Sequence, residues 1–181
     1  MFSNDNSQYI SVVKYHNQLK LDYKLLKKDE IISSNQSAFL LRDEFIPDDA
    51  VFKLTNWQKE VNNTYISTQS NSEEQIIIAN SDDSKNDDYS FTPLNATHKI
   101  GVKKSILFEE VHYFDKVGVD FVYSPFHILN LHVEQDASAN HLVVLVLDNH
   151  LYIIVLNENS EIIYNTIKKL TSFDDIKETE F

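Results

Sequence analysis

Residues 19–26, LKLDYKLL, alternate apolar and polar side chains, the period of a half-buried β-strand. The run before it, QYISVVKYH at 8–16, is apolar and β-branched and ends at Asn17-Gln18, so the two segments predict a hairpin. A third extended piece is predicted between Ile31 and Leu41. After Pro47 the spacing lengthens to that of a helix. Val51, Leu54 and Val61 share a face with Trp57 nearby, and Asp48 or Asp49 is the predicted N-cap. TYIST at 64–68 returns as a short strand.

From Gln69 to Asn95 the pattern fades. IIIA at 76–79 reads as a strand, and SDDSKNDD at 81–88 reads as a solvated loop, expected to be the most mobile part of the protein. Order then resumes. Ser105 is placed to cap a helix running to Val117, with Leu107, Val111 and Phe114 on one face and Gly118 just past its end. VDFVY at 119–123 predicts a buried, central strand. Ser124 and Pro125 then stand as cap and first-turn residue of a helix carrying Phe126, Leu129 and Val133. After the polar spacer EQDASAN, the stretch HLVVLVLDNHLYIIVLNENSEIIYNTIKKL at 141–170 predicts three strands joined by two tight turns. Its first strand, LVVLVL at 142–147, is apolar on both faces, which predicts a central position in a sheet. A capped helix is predicted to begin at Ser172.

These elements run strand, strand, strand, helix, strand, helix, strand, helix, and then strand, strand, strand, helix start. The fold class expected is α/β, a mixed sheet flanked by helices and followed by an antiparallel β-meander. The order resembles the actin-like (ribonuclease H-like) ATPase fold, which repeats it in two halves. Within that superfamily the segments FEEVHYFDKVGVDFVYSPFHILNL at 108–131 and LVVLVLDNHLYIIVLNENSEIIYNTI at 142–167 resemble the branch of the type IV pilus M protein and the cytoplasmic part of the type II secretion L protein. The resemblance implies a first-half α/β domain over residues 1–134 and an incomplete second half, meander and helix start, over 141–181.

Charge and composition narrow the function classes. The net charge is −12, from 28 acidic against 16 basic residues, and Arg42 is the only arginine. That balance opposes nucleic-acid binding, which needs basic patches and arginine forks. Without cysteine there is no disulfide, thiolate metal site or cysteine nucleophile, which fits a reducing compartment. No apolar run approaches the ~20 residues that span a bilayer, and MFSNDNSQ lacks the basic and apolar regions of a signal peptide. Only two glycines and three prolines occur, so Asn, Asp and Ser must make most turns.

Little in the chain announces chemistry. In nucleotide-binding members of the resembled superfamily, the turn of each initial hairpin starts with Asp and is rich in glycine, which lets backbone amides approach phosphate. Here the first turn, His16-Asn17-Gln18, has neither. The second, Asp148-Asn149-His150, keeps Asp and has no glycine, so Asp148 and Asn149 are at most a degenerate phosphate turn. A plain hairpin turn accounts for them without any ligand, because Asn and Asp tolerate left-handed backbone, and without glycine they make a poor phosphate cradle. Glu109 and His112 have the Glu-x-x-His spacing of di-iron bundles, which require two such copies. His127 and His132 are five apart, off a common helix face, and His132-x-Glu134 lacks the cysteine pair of a zinc deaminase. No catalytic residue, metal or cofactor is expected. The sequons at Asn35, Asn62 and Asn95 are ordinary in a chain so rich in Asn and Ser.

The resemblance therefore implies a non-catalytic cytoplasmic scaffold, peripheral at the inner membrane. Its partners would be proteins, membrane-anchored assembly components among them. Two other readings stand beside it: an ATP-binding actin-like enzyme or switch, and a fold-neutral acidic protein-binding module. Because three strands cannot bury a core alone, the meander is expected to pack on the first domain or to pair across a symmetric homodimer.

Overall fold

A computed structural model describes residues 6–41, 45–82, 86–133, 140–159 and 161–171. The chain divides into two compact units. Unit 1 takes residues 1–70 and 108–123, and unit 2 takes 71–107 and 124–181.

Unit 1 is built on β1 (Asn6–Tyr15), β2 (Gln18–Lys27), β3 (Glu30–Leu40), α1 (Asp48–Gln58) and β4 (Asn63–Gln69). Its sheet is mixed, five strands in the order β3-β2-β1-β4-β8, where β8 is Phe121–Tyr123. The first three strands form an antiparallel meander, while β4 runs parallel to β1 and β8 runs parallel to β4. The period-2 pattern does what it predicts: Ile10, Val12, Leu19, Leu21 and Tyr23 point to one face and are buried. There they meet Ala50, Leu54 and Trp57 of α1, together with Ile66, Phe114 and Val117. Each large aliphatic in this core contributes about 1.5–3 kcal/mol by leaving water.

Two details of unit 1 correct the sequence reading. Neither Asp48 nor Asp49 caps α1. Pro47 holds the N-cap position with no side-chain cap, its carbonyl accepts from Ala50 and Val51, and both aspartates sit inside the first turn, where carboxylates suit the helix dipole. The strand at 121–123 is an edge strand and not central, and Phe121 is exposed. Its apolar run reads as buried on both faces, but nothing local in FVY says which edge it joins.

Unit 2 contains β5 (Gln75–Ala79), β6 (Tyr89–Pro93) and β7 (His98–Lys103) as an antiparallel sheet in the order β5-β7-β6. β5 matches the expected strand, whereas β6 and β7 were not legible. β6 lies where the pattern fades, just after the segment 81–88 read as a loop, of which residues 83–85 lie outside the described residues, and β7 follows that stretch. Gly101 in β7 explains part of the difficulty. The ring of its cross-strand partner Phe91 occupies the space a side chain would fill, so the apolar cover comes from the neighbouring strand.

The helix α2 (Lys104–Tyr113) follows β7; Ser105 lies inside it and does not cap it, the helix stops four residues short of the expected Val117, and turns lead on to Gly118, whose φ of +71° is left-handed as expected. The helix α3 (Pro125–Val133) begins as expected, with the amide of Phe126 donating to Ser124 Oγ at 3.1 Å. The meander follows as β9 (His141–Leu147), β10 (His150–Leu156) and β11 (Ile162–Lys169), a separate sheet in the order β11-β10-β9. β10 is central and almost wholly buried. β9 is an edge strand, against the expectation that LVVLVL is central. Leu142, Val144 and Val146 are exposed, and only Val143, Leu145 and Leu147 turn toward the core. That core joins Tyr152, Ile154 and Leu156 to Phe126 and Leu129 of α3 and to Leu94 and Ile100. α3 and the inserted sheet cover one face of the meander, and on its other face Leu151 and Ile153 of β10 are also buried, clustered with Leu170. The helix expected from Ser172 lies outside the described residues.

Among the described residues no helix is long and apolar enough to cross a membrane.

Candidate functional site

The two hairpin turns are built alike. In each, two residues connect the first and second strands of a meander, His16-Asn17 between β1 and β2 and Asp148-Asn149 between β9 and β10. The amide just past the third strand then closes on the turn. Leu41 N–H donates to Asn17 O at 2.7 Å, and Leu170 N–H donates to Asn149 O at 2.6 Å. The second meander therefore repeats the first in its hydrogen bonding as well as in its strand order.

The second turn is the site singled out as a degenerate phosphate turn. Asp148 and Asn149 have φ of +49° and +59°, both left-handed, the backbone of a type I′ hairpin. Its side chains are engaged locally. Asn71 Nδ2 donates to Asp148 Oδ2 at 3.2 Å, His150 Nδ1 lies 2.8 Å from Asp148 O, and His150 Nε2 lies 3.5 Å from a carboxylate oxygen of Glu73. Two carboxylates, Asp148 and Glu73, thus stand at the turn. A phosphate brought there would meet negative charge and no glycine. The first turn has His16 at φ +51°, again with no glycine.

Elsewhere the chemistry-bearing residues stay apart or pair locally. His112 Nδ1 contacts Asp115 at 2.6 Å, one turn along the chain, and His127 Nδ1 lies 3.1 Å from the Ser124 amide. Among the described residues no group of three or more His, Asp or Glu side chains is placed to hold a metal ion. A denser polar cluster, missed in the sequence, gathers in unit 2 at the β6–β7 turn. Asn95 Oδ1 accepts from the amides of Thr97 and His98, Asn95 Nδ2 donates to Asn130 Oδ1 at 2.9 Å, and Asn80 Nδ2 donates to Ala96 O at 2.9 Å. His98 and Thr97 line an open depression there with Glu161 and Ile162. Burial lowers the His98 pKa from its ordinary value, and the carboxylate of Glu161 opposes that shift.

The exposed apolar side chains include two rows that cross or follow strands. On the face of the unit 1 sheet away from α1, Tyr9, Tyr65 and Phe121 form an exposed aromatic row across three strands, with ring centroids 5.3 and 6.2 Å apart. In unit 2 a second exposed row is Leu142, Val144 and Val146 of β9. Aromatic and aliphatic surface of this kind suits protein contact better than it suits a small polar substrate.

The fold has solved counterparts. A Bacteroides thetaiotaomicron protein with actin-like ATPase fold and unknown function is similar over 97% of this chain and 75% of its own, with a TM-score of 0.56 at 9% identity. A chain of the PilM–PilN type IV pilus biogenesis complex is similar over 94% of this chain, with a TM-score of 0.55 at 12% identity. The present chain covers only 63% of that pilus protein. At such identities the likeness establishes the fold alone: the chain has the actin-like ATPase fold. No curated protein matches it. One family model does, over residues 6–130, a span from β1 into α3 that takes in the whole first βββα arrangement and the inserted sheet. The chain therefore belongs to the family described as Domain of unknown function (DUF8569).

Proposed function

We propose that this protein is a non-catalytic scaffold of bacterial pilus or type II secretion assembly, working in the cytoplasm at the inner face of the membrane and holding partner proteins there. The observation that carries the reading is the Asp148-Asn149 turn. At the place where nucleotide-binding relatives of the resembled superfamily present glycine amides to phosphate, this chain presents a type I′ turn with Asp148 and Glu73 beside it. The fold is that of a solved pilus-assembly protein found in complex with another protein, which favours the pilus branch over an unrelated acidic module. The exposed rows on β1, β4, β8 and β9 supply surface for such partners.

Nucleotide decides between this reading and an ATP-dependent switch. A ligand that binds only the folded state raises the melting temperature, by about 2.7 kcal/mol of stabilisation at a hundredfold excess over its Kd. Millimolar ATP with magnesium is expected to leave the melting temperature unchanged. A reproducible rise would move the assignment to the ATP-binding switch. In-cell crosslinking of the tagged chain is expected to yield pilus or secretion assembly proteins, and a protein that crosslinks to none of them is not this scaffold.

A further inference from the structure

The internal repeat sets β9 of unit 2 beside β1 of unit 1. In unit 1, β1 pairs with β2 on one side and on the other carries β4, parallel to it over Ser7↔Asn63 to Val12↔Thr68. In unit 2, β9 holds the place of β1, pairs with β10 on one side and, among the described residues, ends the sheet on the other. In a hairpin closed by a two-residue turn, the residues flanking the turn exchange both ladder hydrogen bonds. Leu147 and His150 are that pair here, so Leu147, Leu145 and Val143 direct their backbone groups to β10. Leu142, Val144 and Val146 direct theirs to the open edge. The same three residues carry the exposed side chains, at 50%, 42% and 46% of full accessibility.

Natural edges are usually guarded by lysine, proline, a bulge or extreme shortness. β9 has none of these: HLVVLVL contains no lysine and no proline, spans 7 residues, and pairs with β10 without a register shift. Charge surrounds it instead. At its C-terminal end stand Asp148 and Glu73, the latter against His150. At its N-terminal end, where His141 pairs with Leu156, lies the β10–β11 turn with Glu158 and Glu161. The lysines of this sheet, Lys168 and Lys169, are on β11, the opposite edge.

We propose that the open edge of β9 is a strand-addition site for an extended segment of another protein, apolar at alternate positions and flanked by lysine or arginine at both ends. This rests on the scaffold reading above and names the surface and the chemistry of its partner. Main-chain hydrogen bonds give affinity in strand addition, and alternate side chains give specificity. Here alternate side chains of the incoming strand cover Leu142, Val144 and Val146, and its basic ends meet the two acidic turns. Charge disfavours a second copy of the chain. A two-fold axis through Val144 would set Asp148 of each copy toward Glu158 and Glu161 of the other, in chains that each carry −12.

The test uses a labelled synthetic peptide as long as β9, alternating valine and threonine, with lysine pairs at both ends, and a second peptide with glutamate pairs. Binding to the full chain is read by fluorescence anisotropy at low salt. The lysine-flanked peptide is expected to bind at least about tenfold tighter than the other. Val144→Pro removes one outward N–H and leaves the β10 ladder intact, so it is expected to weaken binding about tenfold or more without shifting the melting temperature. Should that variant fail to fold, Val144→Lys keeps the backbone, repels the lysine-flanked peptide and is expected to lose binding too. Equal binding of both peptides, or undiminished binding by the two variants, overturns the proposal. So does a wild-type dimer in sedimentation that Val144→Pro turns into monomer, which would assign the edge to a second copy. If crosslinking to assembly proteins persists in Val144→Pro while no peptide binds, the edge proposal fails and the scaffold reading stands. An ATP-induced rise in melting temperature removes the scaffold reading itself.

Discussion

The main-chain N–H of Leu170 donates to the carbonyl of Asn149 at 2.6 Å, tying the residue after the third strand of the meander to the turn between its first two strands. The bond makes the turn's backbone part of a three-strand closure, and it requires Asn149 to hold φ at +59°. Left-handed backbone costs most residues roughly 1–2 kcal/mol, Asn and Asp less, and Gly nothing.

Asn149→Ala is therefore expected to lower stability by about 1 kcal/mol, and Asn149→Gly to leave it within about 0.5 kcal/mol. Urea denaturation followed by far-UV circular dichroism reads both. An alanine variant as stable as the wild type would show that the turn tolerates right-handed backbone and that the closure is not under this constraint.

The two glycines of the chain answer to different physics. A Cβ on Gly101 would lie 2.6 Å from the Phe91 ring, whereas a Cβ on Gly118 would meet nothing within 4 Å and suffer only from its φ of +71°. Gly101→Ala is expected to cost about 1–3 kcal/mol through overpacking, and part of that cost should vanish in the double variant with Phe91→Ala. Gly118→Ala is expected to cost about 1 kcal/mol with no coupling to any neighbour. A double-mutant cycle at 91 and 101 that shows strict additivity would contradict the packing seen here.

His98 sets a pH dependence. Its pKa is lowered, chiefly by burial, with Glu161 acting the other way. The unfolded chain then binds the proton more readily than the folded one. The stabilising contribution is present above the unfolded value of about 6.5 and is lost as pH falls through the lower folded value. NMR titration of the His98 ring is expected to give a pKa below 6.5, and Glu161→Gln is expected to lower it further, because a favourable charge for the imidazolium is removed. A His98 pKa above 6.5 would mean that Glu161 outweighs burial.

Local pattern was enough for much of this molecule. The alternation in LKLDYKLL placed Leu19, Leu21 and Tyr23 on the buried face, Ser124-Pro125 marked the start of α3, and Gly118 marked the left-handed residue after α2. Each depends on residues a few positions apart, where backbone sterics and one capping hydrogen bond decide the outcome. The order of elements, read as a whole, led to the actin-like fold. Asp148 and Asn149 were legible as a turn for the same local reason.

Tertiary structure decided what no local period encodes. Whether LVVLVL and FVY are central or edge strands depends on which strand arrives beside them, and both lie at edges. The strands β6 and β7 are held by Phe91 covering Gly101, a contribution from across the sheet that a single segment cannot display. The character of the second turn rests on Asn71, 77 residues earlier in the chain, and on Glu73 beside it. An alternating sequence determines which side chains share a face; only long-range pairing determines what lies next to that face, and so whether it is core or an open surface.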